Sequence, residues 1–380
     1  MNTSHRCWAE VDLNALRGNL AWLRHRVGPG VKILTVVKAD AYGHGLKQIA
    51  ALLMQSGTDI FGVANLAEAH AVRSVGKGWP VLMLGALLPD EIETAVRDGV
   101  RPTLSSLAEA TAVSTAALRL KKLVAVHLKV DTGMGRLGIC LQDAMKLIDE
   151  VQKLPGLSLE GLYTHYASAE DDAAFSQEQA AAFQKITQAA SKAGIHIPLI
   201  HANNSAALLH QPDTTFSLVR PGLLVYGILP EGRRVDVSAL RKFFQPALSW
   251  KCRVGFVKEI PKGTSLSYGR TFIAPRKMRV ATLTAGYGDG YLRAGSNRAE
   301  VLIQGKRCRV LGRITMDQTL VDVSKVSAVK PGDEVVLIGA QGKDAITATE
   351  LASWCGTIPW EVLTAITYRV PRIYRGGQAS

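Results

Sequence analysis

Through the first part of the chain, short runs of β-branched and aliphatic residues alternate with longer stretches whose apolar positions recur at helical spacing. The runs predict strands at 33–39, 59–64, 81–84, 100–104, 124–130, 159–165, 199–202 and 218–226. They lack polar alternation, as strands covered on both faces of a parallel sheet do. Helices are predicted at 47–55, 68–74, 91–97, 107–120, 142–153 and 177–192. Gly57, Gly76, Gly99 and Gly194 suit left-handed helix ends, and Ser106-x-x-Glu109 and Asp90-x-x-Glu93 read as helix starts. Eight strands alternating with helices predict an α/β fold of the (β/α)8, TIM-type kind. A doubly wound sheet stays open, because periodicity does not close a ring.

After Pro230 the texture changes. Residues 231–242 are polar and basic and read as a linker. Strands joined by tight turns follow, at 249–260, 278–284, 300–304, 307–314, 319–323 and 334–338. Turn signals such as Pro261-Lys262-Gly263 and Lys330-Pro331-Gly332-Asp333 separate them. This predicts a mainly antiparallel, β-barrel-like domain. The expected domains are 12–240, and 241–380 with an N-terminal strand within 1–11.

Composition narrows the function classes. The formal charge is +13, from 45 Lys and Arg against 32 Asp and Glu. The basic residues are scattered, which argues against nucleic acid and fits small anionic ligands. Cys7, Cys140, Cys252, Cys308 and Cys355 are odd in number and form no C-x-x-C pair, so a reducing compartment, the cytoplasm, is expected. No apolar stretch has membrane-spanning length. His165, His201 and His210 lack a carboxylate-rich companion set, so a metal-dependent barrel enzyme is disfavoured.

In a barrel, catalytic groups gather where strands end. Lys38, Lys129, Asp131, His165, Asn203-Asn204-Ser205 and Arg220-Pro221-Gly222 all fall at predicted strand ends. A lysine at such a point is partly desolvated, which favours the neutral amine that attacks aldehydes. A single such lysine is more often a surface residue; several polar strand ends converging on one rim make a site.

Val37-Lys38-Ala39-Asp40-Ala41-Tyr42-Gly43-His44-Gly45, Val219-Arg220-Pro221-Gly222 and Ser267-Tyr268-Gly269 occur in that order. With Trp8-Ala9-Glu10-Val11-Asp12-Leu13 and Tyr368-Arg369-Val370-Pro371-Arg372 at the ends, the chain resembles the bacterial alanine racemases over nearly its whole length. The resemblance implies pyridoxal 5'-phosphate, held by Lys38, which also serves as one proton-transfer base. Tyr268 is then the second base on the opposite face. A phenol whose ordinary pKa is about 10 is a poor base at neutral pH, so its surroundings should favour phenolate, with His165 and Arg136 as the family's candidates. Arg220 is implied at the cofactor's ring nitrogen. Tyr42, Asn204, Ser205, Gly222, Leu223 and Tyr368 are implied at its phosphate end, with the doubled Asn203-Asn204 blurring the local register.

For substrate, the resemblance implies Arg136 and Met316 at the carboxylate, with Tyr287 and Asp317 completing the pocket. Lys129 matches a position that carries a carbamate in the family. Many relatives have a cysteine where Thr315 precedes Met316. The family also implies a homodimer in which Tyr268, Tyr287 and Met316 enter the partner's site. The expected activity is interconversion of L- and D-alanine, supplying D-alanine for peptidoglycan. The alternatives are a serine or broad-specificity racemase, a barrel-type decarboxylase using the same cofactor, and a non-catalytic cofactor carrier.

Overall fold

The computed structural model describes residues 5–210, 216–230 and 237–376. The chain divides into two compact units. One comprises Leu16–Ala41 and Leu46–Gln245; the other comprises Met1–Ala15, Tyr42–Gly45 and Pro246–Ser380.

The first unit is a closed parallel barrel. Its strands are Lys32–Val36, Ile60–Val63, Val81–Met83, Arg101–Leu104, Val124–Asp131, Leu157–Tyr163, Leu199–His201 and Leu218–Val219. Each pairs in parallel with the next, and the last returns to the first through Leu218 opposite Lys32 and Val219 opposite Ile33. That closure excludes the doubly wound sheet. Val126, Leu128, Val130 and Leu162 pack with Ala110, Val113, Leu147, Ile148 and Phe183 from the surrounding helices. Fully burying each large aliphatic side chain contributes about 1.5–3 kcal/mol.

Several local expectations need correction. The first strand stops at Val36, so Lys38 lies beyond it. The eighth strand is only Leu218–Val219. Pro221 has no N–H to give a ladder, and the following residues turn instead, with Val225 N donating to Gly222 O at 2.9 Å. Gly76 is extended at φ −167°, unlike Gly57, Gly99 and Gly194. Ser106 does cap its helix, its Oγ accepting from Glu109 N. Asp90 does not; it sits inside a short 3-10 turn, Pro89–Glu91. Helix Leu13–Val27 was not anticipated, although Leu13, Leu16, Leu20, Leu23 and Val27 recur at helical spacing and Leu16, Leu20 and Leu23 are fully buried. Asp12 Oδ1 caps it, accepting from Asn14 N at 2.8 Å.

Of the expected linker, residues 231–236 lie outside the described residues. Its far side is packed. Phe244 meets Trp22 edge-on at 4.6 Å, and Asn19 exchanges two hydrogen bonds with the backbone of Gln245.

The second unit is mainly antiparallel. Leu248–Ile260 pairs with Cys7–Asp12, Met278–Leu283 and Glu334–Gln341. Glu300–Ile303 links Lys306–Arg309 to Glu334–Gln341, while Thr319–Asp322 follows Met278–Leu283. A bridge from Val310 to Val321 joins the ends of this path into a barrel-like ring. Arg372–Arg375 adds a parallel edge beside Cys7–Asp12. The strand expected at 307–314 ends at Arg309, and Gly312 at φ +72° turns the chain away. Two short helices, Ala348–Cys355 and Pro359–Thr364, were not anticipated.

Candidate active site

Lys38 opens a left-handed turn. Ala39, Asp40, Ala41 and Tyr42 have φ of 51°, 54°, 53° and 54°. Such conformations cost roughly 1–2 kcal/mol per L-residue, so the surroundings must impose them. Ala39 N donates to Glu68 Oε1 at 2.7 Å, Leu46 N to Asp40 Oδ1 at 2.7 Å, and Ala41 N to Val37 O at 2.9 Å. Glu68 lies in the first turn of helix Leu66–Val75, itself capped by Asn65. Asn65-x-x-Glu68 was a readable helix start that the sequence reading passed over. Burial lowers the Lys38 amine below its ordinary pKa, and the Arg136 cation adds to this against the pull of Glu68.

Lys129 lies two residues before the end of the fifth strand, also near Arg136. Burial first, then Arg136 and Arg220, bring its ammonium down to about 8 although Asp131 opposes them. Burial alone would raise the Asp131 carboxyl, but N–H donors of Gly133, Gly135 and Met134 outweigh it and hold the group low. Asp131 therefore folds the loop to exposed Arg136. Gln179, another residue the sequence reading missed, ties that loop to the sixth strand end. Its Nε2 donates to Thr132 Oγ1 at 3.0 Å and to His165 O at 3.1 Å.

Arg220 is buried with neutral acceptors. Its Nη2 donates to Thr164 O at 2.7 Å, Ala202 O at 2.9 Å and His165 Nδ1 at 3.2 Å, and Nη1 donates to His201 Nδ1 at 2.8 Å. Burial pulls the guanidinium down to about 10, still well above neutral. Burial and the cations of Arg220, Lys129, Arg136 and Lys38 hold His165 well below its ordinary pKa. His165 is thus a neutral imidazole whose Nδ1 accepts, leaving Nε2–H as a donor.

Ser205 starts a short helix, and its Oγ accepts from Gly222 N at 2.9 Å and Leu224 N at 3.3 Å. The stretch Gly222-Leu223 is thereby drawn against Ser205. Asn204 caps the helix, its Oδ1 accepting from Ala207 N at 2.9 Å. The neighbouring Asn203 is fully buried with neither amide atom hydrogen-bonded. The doubled asparagine is thus divided between a cap and an unsatisfied amide.

The remaining expected residues belong to the second unit. Tyr42 is buried, which raises its phenol and keeps it neutral. Tyr268 is 71% exposed, on a turn with Ser267 at φ 61° and Gly269 at φ 69°. Tyr287 and Met316 sit on two interlocked loops, with Tyr287 N donating to Thr315 O at 3.0 Å and Gly288 N to Met316 O at 2.8 Å. A Cβ on Gly286 would lie 2.2 Å from Thr315 O, so only glycine permits this approach. Asp317 pairs with Arg369 at 2.8 Å. Tyr368 is 96% exposed.

Comparisons with known proteins agree with this geometry. The model for the alanine racemase N-terminal domain matches residues 11–230, and that for the C-terminal domain matches 247–374. The chain belongs to the alanine racemase family. An alanine racemase of Carboxydothermus hydrogenoformans is 43% identical over 97% of this chain and 99% of its own. One of Halothermothrix orenii is 39% identical over 97% and 96%. Among solved structures, the alanine racemase of Clostridium difficile superposes with a TM-score of 0.92 at 35% identity, covering 98% of this chain and 97% of that one. A Bartonella henselae alanine racemase, described with covalently bound pyridoxal phosphate, superposes at 0.87 with 28% identity, over 98% of this chain and all of that one.

As an alanine racemase, the chain is a pyridoxal-phosphate-dependent isomerase that interconverts L- and D-alanine. The residues present fit that cofactor. Lys38, Arg136 and Arg220 make a cationic surround suited to a phosphate and a carboxylate, while the nearby Asp131 is occupied by backbone N–H groups. The buried Asn203 amide, with no protein partner, fits a polar group bound against it. No helix among the described residues is long and apolar enough to cross a membrane.

Proposed function

We propose that Lys38 and the partner subunit's Tyr268 are the two bases of the racemisation, on opposite faces of the alanine α-carbon. The observation that carries this reading is the Lys38 amine, half-buried, lowered below its ordinary pKa and placed at the start of a left-handed turn beside Arg136. Inversion requires that a proton leave one face and return to the other, and two flanking groups are enough. Bound pyridoxal phosphate supplies an electron-withdrawing ring that takes up the charge left at the α-carbon. Arg220, which keeps its proton, would hold the ring nitrogen as a donor without protonating it, which would limit that withdrawal and disfavour stray transamination. His165 contributes Nε2–H as a neutral donor at the cofactor. Ser205, Asn204, the Gly222-Leu223 backbone that Gly222 lets come close, and the hydroxyls of Tyr42 and Tyr368 would hold the phosphate. Arg136, paired with a carbamate on Lys129, and the N–H of Met316 orient the alanine carboxylate, with Tyr287 and Asp317 shaping the pocket.

The active form in this reading is a homodimer with shared sites. Tyr268, Tyr287, Met316 and Tyr368 are large side chains left exposed on one unit, as expected of surfaces a second chain covers. The reading includes a cytoplasmic location, supported by five cysteines that form no disulfide, and D-alanine supply to peptidoglycan. The test is Tyr268→Ala assayed by deuterium wash-in from each enantiomer. Exchange should fail from one isomer far more than from the other; equal slowing in both directions would rule out opposite-face bases.

A further inference from the structure

Behind Arg220 the barrel holds a row of polar side chains that the roles above leave unused. His201 Nδ1 lies 2.8 Å from Arg220 Nη1, and His201 Nε2 lies 2.9 Å from His127 Nδ1. His127 Nε2 in turn lies 3.1 Å from Glu160 Oε2. Glu160 ends the row in a two-point pair with Arg101, Nε to Oε2 at 2.8 Å and Nη2 to Oε1 at 2.9 Å. Both imidazoles are fully buried.

Only one placement of protons satisfies every link. A guanidinium can only donate, so His201 Nδ1 is bare and its Nε2 carries the hydrogen. His127 Nδ1 must accept that hydrogen, so His127 carries its own on Nε2 and donates to the Glu160 carboxylate. Burial, with the Arg220 cation, keeps both histidines neutral, Glu160 opposing this only in part at His127. Every bond then points from cation to carboxylate.

We propose that Glu160 is a positioning residue for Arg220, acting through His127 and His201 as a one-way hydrogen-bond chain across the barrel interior. This rests on the reading that Arg220 faces the ring nitrogen. A carboxylate placed directly on Arg220 would cancel the charge the guanidinium presents there. Setting the counter-charge two imidazoles away leaves only neutral acceptors on the guanidinium and still fixes its direction. Packing holds the row in place. The Tyr163 ring stacks on His201 at 4.6 Å and 5°, and a Cβ on Gly161 would lie 2.1 Å from His127 Nδ1, so glycine is required where His127 passes.

The test begins on the cofactor-free protein. Nitrogen-15 spectra should find His127 and His201 both neutral with hydrogen on Nε2; an Nδ1–H tautomer or an imidazolium at either overturns the chain, with no variant needed. In the holoenzyme, Glu160→Gln should lower kcat about tenfold, leave KM for alanine within about twofold, and raise the share of turnovers that end in an aminated cofactor. Glu160→Asp, which keeps the charge, should retain more of kcat than Glu160→Gln. Unchanged kcat and side reaction in Glu160→Gln overturn the proposal. If Arg220→Lys raises cofactor amination and Glu160→Gln does not, the chain fails while the ring-nitrogen reading stands. If Arg220→Lys leaves amination unchanged, the reading itself falls.

Discussion

The carboxylate of Glu68 spans two backbone segments, accepting from Ala39 N at 2.7 Å with one oxygen and from Ala64 N at 2.8 Å with the other. One side chain thus fastens the end of the second barrel strand to the left-handed turn that presents Lys38. The turn contains no glycine until Gly43, so its shape is imposed by such contacts and is not intrinsic to Ala39-Asp40-Ala41-Tyr42.

Glu68→Ala should therefore loosen the turn. Losing a charged acceptor for two N–H donors costs about 1–3 kcal/mol, so the melting temperature should fall and cofactor should be released more readily. Unchanged melting together with unchanged cofactor retention, read by the visible absorbance of the bound form, would mean the turn is held by other means.

Gly43 adds a steric requirement. It sits at φ +78°, and a Cβ there would lie 2.2 Å from the backbone oxygen of Leu363. Gly57 has φ +96° with nothing within 4 Å, so Gly57→Ala isolates the conformational cost, about 1 kcal/mol. Gly43→Ala should destabilise by clearly more in denaturant titration. Equal losses would show that the backbone at Leu363 gives way freely.

The low pKa of Lys129 bears on its modification. With a value of about 8, about a tenth of the amine is neutral at pH 7, against well under a thousandth for an ordinary lysine. Carbon dioxide reacts with the neutral form, so carbamate on Lys129 should rise with pH through 8. Carbon-13 NMR with labelled bicarbonate should give a carbamate signal that disappears in Lys129→Ala. A signal that persists in the variant would assign the modification elsewhere.

Activity should depend on association. When the protein is diluted and fractionated by size, monomer fractions should lose racemisation and regain it on concentration. Fully active isolated monomers would contradict shared sites.

Much of the site could be read along the chain because strand ends are local features. Lys38, Lys129, His165 and Arg220 each follow an apolar run, and the expectation of a barrel gathered them on one rim. The clamps were less visible. Gln179 reads as one polar residue among many on an amphipathic helix, and its partners Thr132 and His165 lie 47 and 14 residues away. The eighth strand was overextended because Leu223-Leu224-Val225-Tyr226 is as apolar as a strand, though it is a buried turn once Pro221 and Gly222 break the ladder.

By itself, the order of residues determined the alternation of strands and helices, the switch to antiparallel hairpins and the set of groups able to carry the chemistry. These follow from periodicity and side-chain identity, which neighbours in sequence already express. Only the tertiary structure decided that the sheet closes, that the four residues after Lys38 adopt left-handed backbone, and that His201, His127 and Glu160 form a line behind Arg220. Each of those depends on burial and on hydrogen-bond partners brought together from distant parts of the chain.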